Sequence, residues 1–408
     1  MTYQLLIRLL SPLVVLITLL DGLKRQAGAS FVLKRFGFFL PKLKLCQHRI
    51  WIHCASVGEV KAAQPLIQAL INSRSNIIVT TNTASAQRLA KRHFQDQVNH
   101  AYCPLDYPFA ITRFLDRCHP TQLLVVETEI WPNLFQQCDQ KQIGIHIING
   151  RLSSKTLNAP SWLKQCYKKA LKQVNQILAK SQNDADHFIK LGASANNVSV
   201  LGTLKFAQQH LEHFDNPIGR DYLLAASTHE DEERQIIHHW LTLQRPELLV
   251  IVPRHPNRSR SIQKALVNSG CLFKVASLNE KIDSDTQVYL DDRIGFLLPL
   301  YEHAKLVVMG GSFVSKGGHN FIEPAFYKKA ILTGPDNSNF NDECQLLKDF
   351  NGIIQCQNYS ELSQHINRLL NDPEQTKQLG EQACQAIETQ KNILDAYLKA
   401  LDLTPKPL

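Results

Sequence analysis

The stretch from residue 49 to 94, RIWIHCASVGEVKAAQPLIQALINSRSNIIVTTNTASAQRLAKRHF, decides the fold. Residues 49–55 and 76–82 are apolar runs of strand length, and 60–71 and 86–94 carry helical patterns between and after them. Strands that are apolar on both faces and alternate with helices build a parallel sheet covered on both sides. The alternation continues through strand-like runs at 122–127, 143–149, 176–180 and 198–201. A second series starts at Tyr222, with strands expected at 222–226, 248–252, 271–275, 287–290, 305–309 and 330–332. The polar stretch 207–220, with Pro217 and Gly219, reads as a linker. Residues 373–401 read as one or two long helices. Two facing doubly wound domains take a ligand in the cleft between them, at the carboxyl ends of their strands. The residues to inspect therefore sit just after each strand.

A chain of 408 residues holds about two domains. Its 44% hydrophobic and 20% charged content is that of an ordinary globular protein. A net charge of +9 suits an acidic partner, either a phosphate-bearing substrate or an anionic membrane. Zinc-finger spacing and RNP-like aromatics are both missing, so no nucleic-acid partner is expected. The ten cysteines include no C-x-x-C pair and read as small buried hydrophobes in a reducing compartment. No structural metal is expected.

Residues 9–20 are almost wholly apolar, broken by Ser11, Pro12 and Thr18. The run is short of the ~20 residues that cross a bilayer comfortably, and no clear cleavage site follows it. It reads as a retained membrane anchor, spanning or lying in the interface. Lys24, Arg25, Lys34, Arg35, Lys42 and Lys44 follow closely and place the next segment on the cytoplasmic side. In 31–45 these charges interleave with Phe31, Phe36, Phe38 and Phe39, a pattern suited to an anionic leaflet or to a core helix with solvated lysines. The expected divisions are an anchor at 1–25, an α/β acceptor domain at 26–206, a linker at 207–220, an α/β donor domain at 221–372, and terminal helices at 373–408 packing back toward the first domain.

Several strand ends carry candidate chemistry. Gly-Gly-His-Asn-Phe-Ile-Glu-Pro, residues 317–324, sets the glycine pair Gly317 and Gly318 before Asn320 and Glu323 at capping-box spacing. A glycine loop running into a helix N-terminus offers a phosphate site, or simply a capped helix. Ser56 and Glu59 share that spacing, so Glu59 is either a helix cap or a base at a strand end beside the flexible Gly58. Glu127 and Glu129 point opposite ways if the chain there is extended, with Lys205 as a nearby cation. They form an ion-paired domain edge or an electrostatic device around a reacting group. Arg151 suits an anion or is simply a surface arginine. In the second series, residues 230–233 place four acids in a helix's first turn, where they complement its dipole. Ser227 and Thr228 can line a donor cleft. Pro253, Arg254 and His255 outline an anion clamp. Residues 292–296 offer backbone groups to a base, and Gly311 and Ser312 allow close backbone approach. Together these sites argue for a nucleotide donor.

These segments, in this order, resemble the 3-deoxy-D-manno-octulosonic acid (Kdo) transferases of lipopolysaccharide assembly. The carrying residues are 56–59, 128–133, 149–153, 202–206, 253–255 and 317–324, and the likeness covers most of the chain. The resemblance implies a GT-B glycosyltransferase fold, two Rossmann-like domains facing across a cleft, with CMP-Kdo in the C-terminal one. A lipid A precursor, lipid IVA, would be received from the cytoplasmic face of the inner membrane. It implies that Glu59 is the proton acceptor and that Glu129 and Lys205 stabilise the transition state. CMP contacts would fall on Pro253 and Arg254, on Ile294, Gly295 and Phe296, and on Asn320, Phe321, Ile322 and Glu323. Phe296 departs from the family, which usually has an acidic residue there. The implied reaction inverts the anomeric centre and needs no metal or cofactor, because protein dipoles hold the departing phosphate. Two rival readings are another nucleotide-sugar enzyme of the same fold, such as an epimerase, and a membrane-tethered nucleotide-binding module without catalysis.

Overall fold

Aliphatic strands that are buried from end to end need cover on both faces, and that requirement sets the architecture. The structure is a computed structural model that describes residues 2–24, 30–39, 43, 46–152, 154–207 and 213–403. Two compact units divide the chain: Met1–Gln208 with Asn392–Leu408, and Gln209–Lys391. Each builds one seven-stranded parallel sheet.

In the first unit the strands are β1 (Ile50–Cys54), β2 (Ile77–Thr81), β3 (Asn99–Tyr102), β4 (Gln122–Val126), β5 (Gly144–Gly150), β6 (Gln176–Ala179) and β7 (Val198–Val200). Their order across the sheet is β3-β2-β1-β4-β5-β6-β7. Alternate residues of β1 enter separate cores. Trp51 joins Phe114, Leu134 and Phe135 on one face, while Ile50, Ile52 and Cys54 join Leu66 and Ile67 on the other. Each fully buried large side chain contributes about 1.5–3 kcal/mol, so the two layers together fix the register of the central strand.

The second unit contains β8 (Tyr222–Thr228), β9 (Leu248–Pro253), β10 (Phe273–Val275), β11 (Val288–Leu290), β12 (Leu306–Met309), β13 (Ala330–Thr333) and β14 (Ile353–Gln355), ordered β10-β11-β9-β8-β12-β13-β14. Both sheets therefore reverse winding once, between β1 and β4 and between β8 and β12. At a reversal the connecting loops diverge and leave a crevice at the carboxyl edge. The edge strands β3 and β14 add to the strands expected from sequence.

The C-terminal segment divides. Helix Pro373–Glu388 packs on β13 and on helix Ile322–Phe326 within the second unit. There a Cβ on Gly380 would fall 2.0 Å from the Lys328 carbonyl oxygen. Only helix Ile393–Ala400 packs in the first unit, against Val57–Asn72. Five linker residues, 208–212, lie outside the described residues, as do Arg25, Lys42, Lys44 and Ser153.

The N-terminus corrects the expectation of a spanning anchor. Among the described residues no helix is long and apolar enough to cross a membrane. Pro12 has no N–H to donate, and the apolar run divides into helices Thr2–Leu9 and Ser11–Lys24. The longer has 14 residues, a length of about 21 Å against a hydrocarbon core of about 30 Å. It is also moored to the first unit. Tyr3 donates to Asp106 at 2.7 Å, and the Tyr107 hydroxyl lies 3.0 Å from Ser11 Oγ. Thr18 is buried, whereas Leu9, Leu13, Leu16, Ile17 and Leu20 are exposed.

Tyr397 ties the last helix to the sheet. Its buried hydroxyl donates to the Gly202 carbonyl at 2.8 Å and accepts from Asn149 N at 3.2 Å. Replacing Tyr397 with Phe removes the partner of the buried Asn149 N–H and of the half-buried Gly202 carbonyl. Chemical denaturation should show the first unit destabilised by about 1–3 kcal/mol.

Candidate functional site

The winding reversal of the first sheet brings the sequence-expected carboxylates to one edge. Glu59 is in the first turn of Val57–Asn72, the helix that follows β1. Glu59 N donates to the N-cap Ser56 at 3.3 Å, while its side chain accepts from Ala55 N at 2.6 Å and from Ser56 Oγ at 3.0 Å. The cap exists, and it also immobilises the carboxyl group. Glu59 is 9% exposed, and its pKa rises to about 7, chiefly through burial, with the His53 imidazole and the Ala55 N–H opposing and Glu129 and Glu127 adding. A buried carboxyl group that titrates near 7 is matched to proton abstraction at neutral pH.

The chain after β4 turns and does not run extended, so the alternation expected of an extended run does not apply to its two acids. Glu127 takes a left-handed backbone, φ +63. Such a conformation is costly for a residue with a Cβ, about 1–3 kcal/mol. The turn keeps both side chains in play. Glu127 receives Asn149 Nδ2 at 3.4 Å and lies 3.8 Å from Arg151 Nε. Glu129 accepts from Trp131 Nε1 at 2.7 Å and from Asn82 Nδ2 at 3.2 Å. Lys205 sits in the short turn Leu204–Ala207, which is anchored where Leu204 N donates to Asn149 Oδ1.

His53 was not singled out in the sequence, where it reads as one more residue of an apolar strand. It is fully buried on β1, with Nδ1 3.0 Å from Thr80 Oγ1 and Nε2 3.8 Å from Glu129. Burial alone would push its pKa down; Cys103 and Glu129 reverse that and hold it above the usual histidine range. Burial likewise works to raise Glu129, but His53 and the Trp131 N–H hold it below the usual carboxylate range. The buried His53 and the half-buried Glu129 therefore form an ion pair near Glu59.

In the second unit the reversal lies between the ends of β8 and β12. Pro253 ends β9, and the exposed Arg254 donates through its N–H to the Thr228 carbonyl at 2.9 Å. Exposed His255 lies edge-on to the His229 ring at 5.6 Å. After β11, Ile294 is 84% exposed, Gly295 has φ +91, and the Arg293 guanidinium lies 3.9 Å over the Phe296 ring. Arg293 is oriented by a two-pronged bond to the buried Asp291. The Phe296 ring thus forms an exposed flat platform beside a cation.

The glycine loop differs from its expected form. Asn320 Oδ1 accepts from Ile322 N at 3.0 Å, two residues on, instead of from Glu323. Helix Ile322–Phe326 starts one residue later, after Phe321, and is only five residues long. An Asx turn thus replaces the capping box, and so short a helix carries little dipole. Gly317 and Gly318 have φ +76 and +71. A Cβ on Gly317 would meet Asn339 Nδ2 at 2.5 Å, so close packing on the 336–339 turn already demands glycine. Ser312 is fully buried; it donates to the Met309 carbonyl and accepts from Gly334 N, a tie between loops.

The acids at 230–233 are also corrected. Glu232 and Glu233 are buried and do more than complement a dipole. Glu232 accepts from His229 N, Gly311 N and Phe313 N at 2.9, 2.7 and 3.0 Å, lacing the end of β8 to the loop after β12. Glu233 takes a two-pronged bond from Arg258 and one from Thr228.

Comparison with known proteins follows the same division between fold and chemistry. The UDP-GlcNAc 2-epimerase from Neisseria meningitidis, solved bound to UDP-GlcNAc, matches with a TM-score of 0.59 over 86% of this chain and 99% of that one, at 13% identity. That likeness shows a GT-B-like fold and no more. A sequence profile described as 3-Deoxy-D-manno-octulosonic-acid transferase (kdotransferase) matches residues 32–208. The 3-deoxy-D-manno-octulosonic acid transferase of Haemophilus influenzae is 30% identical, over 98% of this chain and 97% of that one. Its namesake from Bordetella pertussis is 31% identical over 72% of each. Relationship and fold together define a glycosyltransferase. The chain belongs to the 3-deoxy-D-manno-octulosonic acid transferase family.

The Arg258–Glu233 pair supports the second edge. Arg258→Gln leaves a buried carboxylate short of its cation and should cost about 3–5 kcal/mol in thermal or denaturant unfolding.

Proposed function

We propose that this chain transfers Kdo from CMP-Kdo to a lipid A precursor, lipid IVA, with Glu59 as general base. The carrying observation is the Glu59 carboxyl group, held by Ala55 N and Ser56 Oγ and titrating near 7, in a member of this transferase family. An acceptor hydroxyl gives its proton to Glu59, and its oxygen bonds to the anomeric carbon of Kdo. The bond from that carbon to the phosphate oxygen breaks, the electron pair leaves with CMP, and the centre inverts. Glu129, oriented by Trp131 and Asn82, and Lys205 supply fixed charge around the reacting sugar. Arg254 meets the phosphate, and the exposed 294–296 turn and the 320–323 segment meet the rest of CMP. The mechanism calls on no metal or cofactor.

The working place we propose is the cytoplasmic face of the inner membrane, with the first helices lying in the interface. The support is an exposed stripe, Leu13, Leu16, Ile17 and Leu20, at helical spacing on helix Ser11–Lys24, where Thr18 is buried and Ser11 meets the Tyr107 hydroxyl.

Glu59→Gln retains an acceptor for the Ala55 N–H but loses the base. Mass spectrometry of lipid IVA incubated with CMP-Kdo should show Kdo addition slowed by ~10²–10⁴-fold, with melting little changed. Undiminished addition would leave Glu59 a cap only. A carboxylate with raised pKa loses its proton-accepting form as pH falls, so wild-type kcat/KM for the lipid acceptor, measured at saturating CMP-Kdo, should drop about tenfold per pH unit below about 7. For the membrane, Leu13, Leu16 and Ile17 changed together to Ser should abolish co-flotation with anionic vesicles; retained flotation would move the contact elsewhere.

A further inference from the structure

Two histidines at the winding reversal of the second sheet are not used by the reading above. His229 follows β8, and His319 lies in the loop after Gly318. Their rings are nearly parallel, 5° apart in plane, and their Nε2 atoms are 2.9 Å apart. Two ring nitrogens at that distance share one proton, one donating and the other accepting. The surroundings hold the pair together. A Cβ on Gly311 would lie 3.0 Å from His319 and 3.3 Å from His229, and Gly311 has φ +70, so only glycine leaves the rings room there. Glu232 ties His229 N and Gly311 N to one carboxylate.

We propose that the His229–His319 pair receives the phosphodiester anion of the nucleotide-sugar donor and takes up a proton as that anion binds. The inference rests on the donor reading of the second unit. The groups facing the pair are mostly cationic: Arg254 and His255 after β9, Lys316 from the glycine loop, and Arg258, itself bonded to Glu233. The buried Glu232 is already engaged by three backbone N–H groups. Burial first, and then His229, Arg254 and His255, push His319 down to about 4. Burial, His255, Lys316 and Arg258 lower His229, with Glu233 opposing. The empty pair is therefore neutral at pH 7, each ring disfavouring charge on the other. A phosphate anion against the rings cancels that repulsion and stabilises the imidazolium, which raises the pKa. Binding and protonation then reinforce one another, and affinity improves as pH falls from about 8 toward 5.5.

The test uses the full chain and the methyl ester of cytidine 5′-monophosphate, a phosphodiester without the second phosphate ionisation near pH 6. Calorimetry at one pH in buffers of different ionisation enthalpy counts the protons exchanged. The expected result is uptake approaching about one proton near pH 6, with Kd tightening by up to about tenfold per unit fall in pH. His319→Gln and His229→Gln, each shown folded by melting, should abolish the uptake and weaken binding by about tenfold. Binding without uptake at any pH between about 5.5 and 8 overturns the proposal and leaves the donor reading intact. Uptake that persists in both variants overturns the assignment to this pair. No binding of the diester overturns the donor reading and this inference with it. The proton count is read on the unaltered chain, so the outcome does not depend on either variant folding.

Discussion

Everything at the two candidate edges depends on one constraint: a parallel sheet covered on both faces buries many backbone groups of the loops that leave its strands, and each of those groups needs a partner. In this protein single buried side chains do that work. Glu232 collects three backbone N–H groups from two loops. Asp106 accepts from Asn133 N and Leu134 N while taking the Tyr3 hydroxyl. Asn149 donates its N–H to the Tyr397 hydroxyl and accepts from Leu204 N at its side-chain oxygen. Each such residue fixes a backbone path, and the reactive side chains inherit their positions from those paths.

The same constraint explains why Glu59 is two things at once. The bonds from Ala55 N and Ser56 Oγ make it a cap and leave it in a nearly water-free position where its charge is disfavoured. Removing the cap would free the carboxylate to rotate into water, with an ordinary pKa. Near it, the His53–Glu129 pair brings one charge of each sign, so the edge gains electrostatic structure without a large net field. The second edge has the opposite character, a preponderance of arginine, lysine and histidine around a carboxylate that is already engaged.

Much of this was legible in the chain itself. Long runs such as 49–55 and 248–252 are buried on both faces, so their composition announces them, and the residues that follow them are the candidate site. The edge strands β3, Asn-His-Ala-Tyr, and β14, Ile-Ile-Gln, escaped because a strand paired on one side is short and half polar, with no periodicity to read. The N-terminal run was legible in its apolar content and its shortness, while its division into two helices at Pro12 and the side that faces protein, marked by Ser11 and Thr18, follow from packing. The capping box at 320–323 obeys its spacing, yet Asn320 caps Ile322 N and the helix starts only after Phe321. His53 and His229 carry no local signal, and the motif around His319 does not reveal its pairing; their significance lies in partners 27 to 90 residues away.

The bond from Tyr397 to Gly202 spans 195 residues and encloses the whole second unit. At a synthesis rate of roughly 5–20 residues per second, the ribosome needs about 10–40 s to pass from one to the other. During that interval the first sheet stands without its last helix, its Asn149 N–H and Gly202 carbonyl awaiting their shared partner, while every residue of the second sheet emerges ahead of Tyr397. Of the two units, the one whose synthesis starts first is therefore the last to be completed.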